Sequence, residues 1–91
     1  MHFLKIFKDI LNYLQHQKSG TLVVSQGCPP TIFIPTGFRP KKVWIEMSEV
    51  CGIPVCHAAP DSFDYKILPN GFVIHVILHS RERKITWIAI K

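Results

Sequence analysis

The sequence predicts a mainly β chain, a small antiparallel β-sandwich of about six strands preceded by one N-terminal amphipathic α-helix. Three observations predict it. Helical periodicity is confined to residues 2–17. After Gly20, short apolar runs recur between turns rich in Pro and Gly, as in a sandwich. Several of those runs alternate apolar and polar residues with the period of two that a strand requires.

The helix comes first. Leu4, Phe7, Leu11 and Leu14 repeat at the 3-4-3 spacing of a heptad seam, and Phe3, Ile6, Ile10 and Tyr13 form a second row beside it. Lys5, Lys8, Asp9, Asn12 and Gln15 cover the rest. A single helix of ~16 residues is marginal alone, so packing must hold it. It serves for oligomerisation or anchoring: against its own domain, in a bundle with sister chains, or on a larger assembly. Lys18, Ser19 and Gly20 close it, with Gly20 suited to a left-handed cap. The helical unit therefore spans residues 1–18 and the sandwich residues 20–91.

The strands follow in order. "TLVVSQ" (21–26) is closed by Gly27-Cys28-Pro29-Pro30, and "TIFI" (31–34) by Pro35-Thr36-Gly37. "KVWIEMS" (42–48) sets Val43, Ile45 and Met47 on one face and Trp44, Glu46 and Ser48 on the other. Residues 49–61 hold Gly52, Pro54 and Pro60 without periodicity and form the longest loop. "FDYKIL" (63–68) meets Pro69-Asn70-Gly71, an Asn-Gly hairpin signal, and "FVIHVILH" (72–79) runs back. A turn at residues 80–83 leads into "KITWIAI" (84–90). The last three strands thus read as consecutive hairpins in one meander. In the final strand Ile85, Trp87 and Ala89 share one face and Thr86, Ile88 and Ile90 the other. Both faces are mostly apolar, so the strand is covered on both sides, one by its own core and one by a second sheet or a sister subunit.

Composition sets the scale. Ninety-one residues make one domain, which as a monomer buries only about 60% of its unfolded surface. Yet 47% of the residues are hydrophobic and ten are aromatic. That surplus predicts subunit contact. The net charge of +5 comes from eleven Lys and Arg against six Asp and Glu, but these bases are dispersed. Only residues 39–42 and 81–84 cluster, and both read as solvated turns. Cys28, Cys51 and Cys56 are odd in number and lack the CxxC spacing of a zinc or redox site, so they read as reduced, packed thiols. No stretch reaches the ~18–20 apolar residues of a membrane span. Lys5, Lys8 and Asp9 interrupt any signal-peptide core, and the chain reads as soluble and unprocessed.

Catalytic chemistry finds little to stand on. The carboxylates Glu46, Glu49, Asp61, Asp64 and Glu82 show no acid–base pairing, and neither a nucleophile elbow nor a phosphate loop is present. His75 and His79 fall on one face of the predicted strand, but i and i+4 on a strand stand ~13 Å apart, too far for one ion. They read as surface or interface side chains, and no metal or cofactor is expected. Trp44 with Lys42, and Tyr65 with Lys66, are the only stacking candidates for a nucleic acid, and alternation puts Tyr65 and Lys66 on opposite faces.

Three segments stand in order: "GFRPKKVWIEM" (37–47), "PNGFVIHVIL" (69–78) and "ITWIAIK" (85–91). This succession resembles the H-type lectin domain and the small sandwich modules at the tips of phage tail fibres, over residues 20–91. The resemblance implies a six-stranded sandwich that trimerises and holds a ligand near subunit boundaries. The turn "HSRERK" carries no aromatic to stack on a sugar ring. Arg81, Arg83, His79 and Glu82 are nevertheless the candidates for an anionic glycan, and Asp61 with Asp64 for sugar hydroxyls. Leu4, Phe7, Leu11 and Leu14, with Ile88 and Ile90, are the expected oligomer contacts. The reading that follows is a non-enzymatic virion structural or attachment protein, of tail-fibre or capsid-decoration type. It would be assembled in the host cytoplasm as a homotrimer and held to other virion proteins by its helix. A stand-alone carbohydrate-binding lectin is the alternative, and a basic nucleic-acid-associated module comes third.

Overall fold

The computed structural model describes residues 17–91, which form six antiparallel strands: β1 (Gln17–Ser25), β2 (Thr31–Pro35), β3 (Lys42–Glu49), β4 (Ser62–Leu68), β5 (Gly71–Ile77) and β6 (Glu82–Ile90). They make two three-stranded sheets, ordered β1-β6-β3 and β2-β5-β4. Strands β5 and β6 hold the centres, and β1, β2, β3 and β4 are edges.

The sheets face each other through one apolar core. Val24, Val43, Ile85, Trp87 and Ala89 come from the first sheet, and Ile34, Phe72, Ile74 and Val76 from the second. The period of two explains the selection: on β6 every odd residue from Ile85 to Ala89 is buried, and on β5 every even residue from Phe72 to Val76. Phe72 and Trp87 bridge the sheets edge to face, with ring centroids 5.4 Å apart.

Two glycines mark close approaches. A Cβ at Gly20 would lie 2.8–3.0 Å from the Trp87 indole, so the small residue makes room for the ring. A Cβ at Gly71 would overlap the Ile34 carbonyl oxygen and sit 3.1 Å from the Pro35 Cα, so only glycine lets β2 close against β5 there.

The helix-then-sandwich expectation requires correction. No helix occurs among the described residues, and Gln17–Ser25 is a strand from end to end. Lys18, Ser19 and Gly20, read as a helix end, pair instead with Ala89, Ile88 and Trp87. The ladder to β6 overrides the capping preference, and Gly20 answers to Trp87 rather than to a left-handed cap. The seam of Leu4, Phe7, Leu11 and Leu14 lies outside the described residues.

The meander is corrected as well. Strands β4 and β5 form a hairpin, but β6 leaves that sheet and inserts between β1 and β3. The β4–β5 turn is made by Pro69 and Asn70, neither with positive φ, so it is not the Asn-Gly turn with two left-handed residues. Strand β5 ends at Ile77, so His79 lies in the connection and shares no strand face with His75.

Candidate functional site

At one end of the sandwich three connections converge: residues 26–30, residues 50–61 and residues 78–81. Asp61 is their centre. It sits at the last position of the long loop, directly before β4, and its side chain is 0% exposed. One carboxylate oxygen accepts the backbone N–H groups of His79 (2.6 Å) and Ser80 (2.9 Å). The other accepts the Ser80 hydroxyl and the Arg83 Nη1 (2.7 Å). Arg83, 13% exposed, also donates through Nε to the Ser48 carbonyl (3.1 Å) and through Nη2 to that of Met47 (3.4 Å). The Ser80 hydroxyl in turn accepts the Cys56 N–H (2.8 Å).

Burial by itself pushes the Asp61 carboxyl up. The bonds from Ser80, His79 and Arg83 outweigh it and hold the group far below the usual carboxylate range. The network is electrically closed, so it ties the end of β3, the long loop and the start of β6 into one rigid corner. Gln26 joins the same corner, its backbone N–H bonding the Arg81 carbonyl (3.0 Å) and its Nε2 the His79 carbonyl (2.8 Å).

The predicted ligand residues are therefore divided. Asp61 and Arg83 are brought together and directed at each other, and His79 joins them through its backbone. Arg81 is exposed, with its carbonyl engaged by Gln26. Glu82 is half-buried at the start of β6, opposite Ser25. Asp64 lies elsewhere, exposed on β4 opposite His75. His75 bonds Thr31 Oγ1 through Nδ1 at 3.0 Å. Ser80, Gln26 and Cys56 complete the corner without having stood out in the sequence. Their partners lie 19 to 55 positions away, and no periodicity reports contacts at that range.

Beside this corner opens a cleft of about 200 Å³, lined by Val24, Cys28, Pro29, Pro30, Val76 and Leu78 among others. Cys28 is exposed, with its Sγ 3.2 Å from the Ser25 hydroxyl, which together with the Ser25 backbone holds the thiol below its usual range. Cys51 is also exposed and Cys56 half-buried, so the expectation of packed thiols fails for two of the three. Among the described residues no three His, Cys, Asp or Glu side chains gather as a metal site, and no helix is long and apolar enough to cross a membrane.

The outer faces are the other notable surface. On the first sheet Trp44 stands beside Ile88, with Ile90 in the next row and Val23 further along. On the second, Phe33 lies opposite Val73, and Ile77 lies near the strand end. Trp44 is 47% exposed and Ile77 51%. Trp44 and Lys42 share a face, whereas Tyr65 and Lys66 lie on opposite faces.

No family model, curated protein or solved structure matches this chain.

Proposed function

We propose that this chain is a non-enzymatic structural or attachment component of a virion, of tail-fibre or capsid-decoration type, working as a homo-oligomer. The observation that carries the proposal is the apolar outer surface. Trp44, Val23, Phe33 and Ile77 are exposed on faces that do not belong to the core. Of these, Trp44 adjoins Ile88 and Ile90 on the first sheet, and a contiguous apolar patch on an outer face marks an interaction surface in soluble proteins.

The first sheet supplies the subunit contact. Ile88 and Ile90 lie half-buried on its outer face in the central strand, beside Trp44. A homotrimer, the stoichiometry implied by the resemblance to H-type lectins and fibre tips, buries this patch against sister copies. The Asp61 corner then supports the loops as a stiff platform, and repeated copies turn weak loop contacts into avid binding. Virion proteins reached through the N-terminal segment, and a cell-surface glycan at the loops, are the partners this reading expects.

Sedimentation equilibrium on the full chain tests it. A trimer or a multiple of three is expected at micromolar concentration. A monomer throughout, with Trp44 emission remaining solvent-exposed, overturns the reading.

A further inference from the structure

Strand β4 is exposed in a way its register does not explain. Phe63, Tyr65 and Ile67 pair with Val76, Ile74 and Phe72, and so lie on the face that carries the core. Val76, Ile74 and Phe72 are buried, yet Phe63 is 37% and Tyr65 45% exposed. Among the described residues nothing covers these two aromatics, although Ile67 on the same face packs against the core.

Among the described residues no strand pairs with the outer edge of β4. The Tyr65 N–H bonds the carboxylate of its own neighbour Asp64 at 2.8 Å. Backbone groups alternate sides along an antiparallel strand, so Phe63, Tyr65 and Ile67 present theirs away from β5. Asp64 and Lys66 flank Tyr65 on the opposite face, both exposed, and neither has an ion-pair partner among the described residues.

We infer that β4 pairs antiparallel with β4 of a second copy, about a twofold axis through Tyr65. That register sets Tyr65 against Tyr65 with both outward backbone bonds made. It places Phe63 against Ile67, and Asp64 against Lys66 of the second copy, each twice. The sequence Asp-Tyr-Lys is its own complement when reversed, as an isologous contact demands. Strand addition supplies main-chain hydrogen bonds, and the charges select the register. The Asp64 carboxylate moves from the Tyr65 N–H to the facing Lys66. The contact goes beyond the threefold one, since twofold edges perpendicular to a threefold axis join two trimers into six copies.

The test is sedimentation equilibrium on the full chain carrying Asp64→Lys, Lys66→Asp or both, with β-sheet circular dichroism as the folding control. Each single change sets like charges opposite each other at two places and raises the dissociation constant of the edge contact about 10- to 100-fold. The double variant restores opposite charges and returns it to within about threefold of the parent. Arg39→Glu, an exposed charge in the β2–β3 connection and on neither proposed contact, leaves it unchanged. A hexamer that splits into trimers with the single variants supports both contacts, and a dimer that splits supports the edge contact alone. A trimer indifferent to all three β4 variants overturns the edge contact and spares the threefold reading. A monomer, a double variant no better than the singles, or an Arg39→Glu effect as large as that of Asp64→Lys overturns the edge contact.

Discussion

Asp61 does the most at the scale of a single residue. Its carboxylate has no contact with solvent, and its bonds reach β6 at Arg83 and the β5–β6 connection at His79 and Ser80. Asp61→Ala leaves Arg83 charged with no carboxylate beside it and two backbone N–H groups unpaired. The expected loss is about 2–3 kcal/mol, at or just below the low end for a broken buried pair because Arg83 keeps some water. A lowered urea midpoint at unchanged m-value measures it. The acid limb follows from the same group. Its folded pKa lies below the unfolded value, near 3.9 for a free Asp, so its contribution is complete above about pH 5. As the pH falls through the unfolded value toward the folded one, the native state must take up the proton and that stability is lost. Asp61→Asn should flatten the dependence of the urea midpoint between pH 5 and 2. A variant with the same acid limb as the parent refutes the assignment. Residues 60–62 read Pro-Asp-Ser, a plain loop end, so the role of Asp61 was not legible in sequence: every partner but the chain itself is distant.

Among the elements, the two central strands organise the rest. Alternation separated the two faces of β3 and β6, because the burial of one face imposes a period of two on a half-buried strand, while Phe72, Ile74 and Val76 on β5 were not singled out. It could not say which strands pair. Strands β5 and β6 are adjacent in sequence yet belong to different sheets, since Asp61 holds their connection across the end of the sandwich. The N-terminal part of β1 shows the converse failure. Lys18, Ser19 and Gly20 have little strand propensity, and the ladder with β6 extends them anyway. Gly71 belongs to this scale because its missing side chain lets two strands meet. Gly71→Ala drives a methyl into the Ile34 carbonyl, which is backbone and cannot rotate away. About 3 kcal/mol, the upper part of the overpacking range, is the expected loss, with the β2–β5 amides the first to lose hydrogen-exchange protection.

For the whole molecule, the deciding quantity is apolar surface. Among the described residues, the large apolar side chains left outside the core lie on the outer faces and along β4. Ile88→Lys puts a charge in the middle of the outer face of the first sheet, beside Trp44. Because Ile88 is outside the core, the fold should survive with its melting temperature little changed while the sedimentation mass falls. Unchanged mass would place the subunit contact elsewhere. Composition and residue spacing determined that this chain is small, basic and rich in β-strand, because burial and strand geometry leave local signatures in residue type and spacing. Tertiary structure decided the rest: which strands share a sheet, that Gly20 makes room for an indole, that Asp61 and Arg83 face each other, and that Phe63 and Tyr65 stay open. Each depends on residues far apart in the chain meeting in space, and a local pattern carries no record of that meeting.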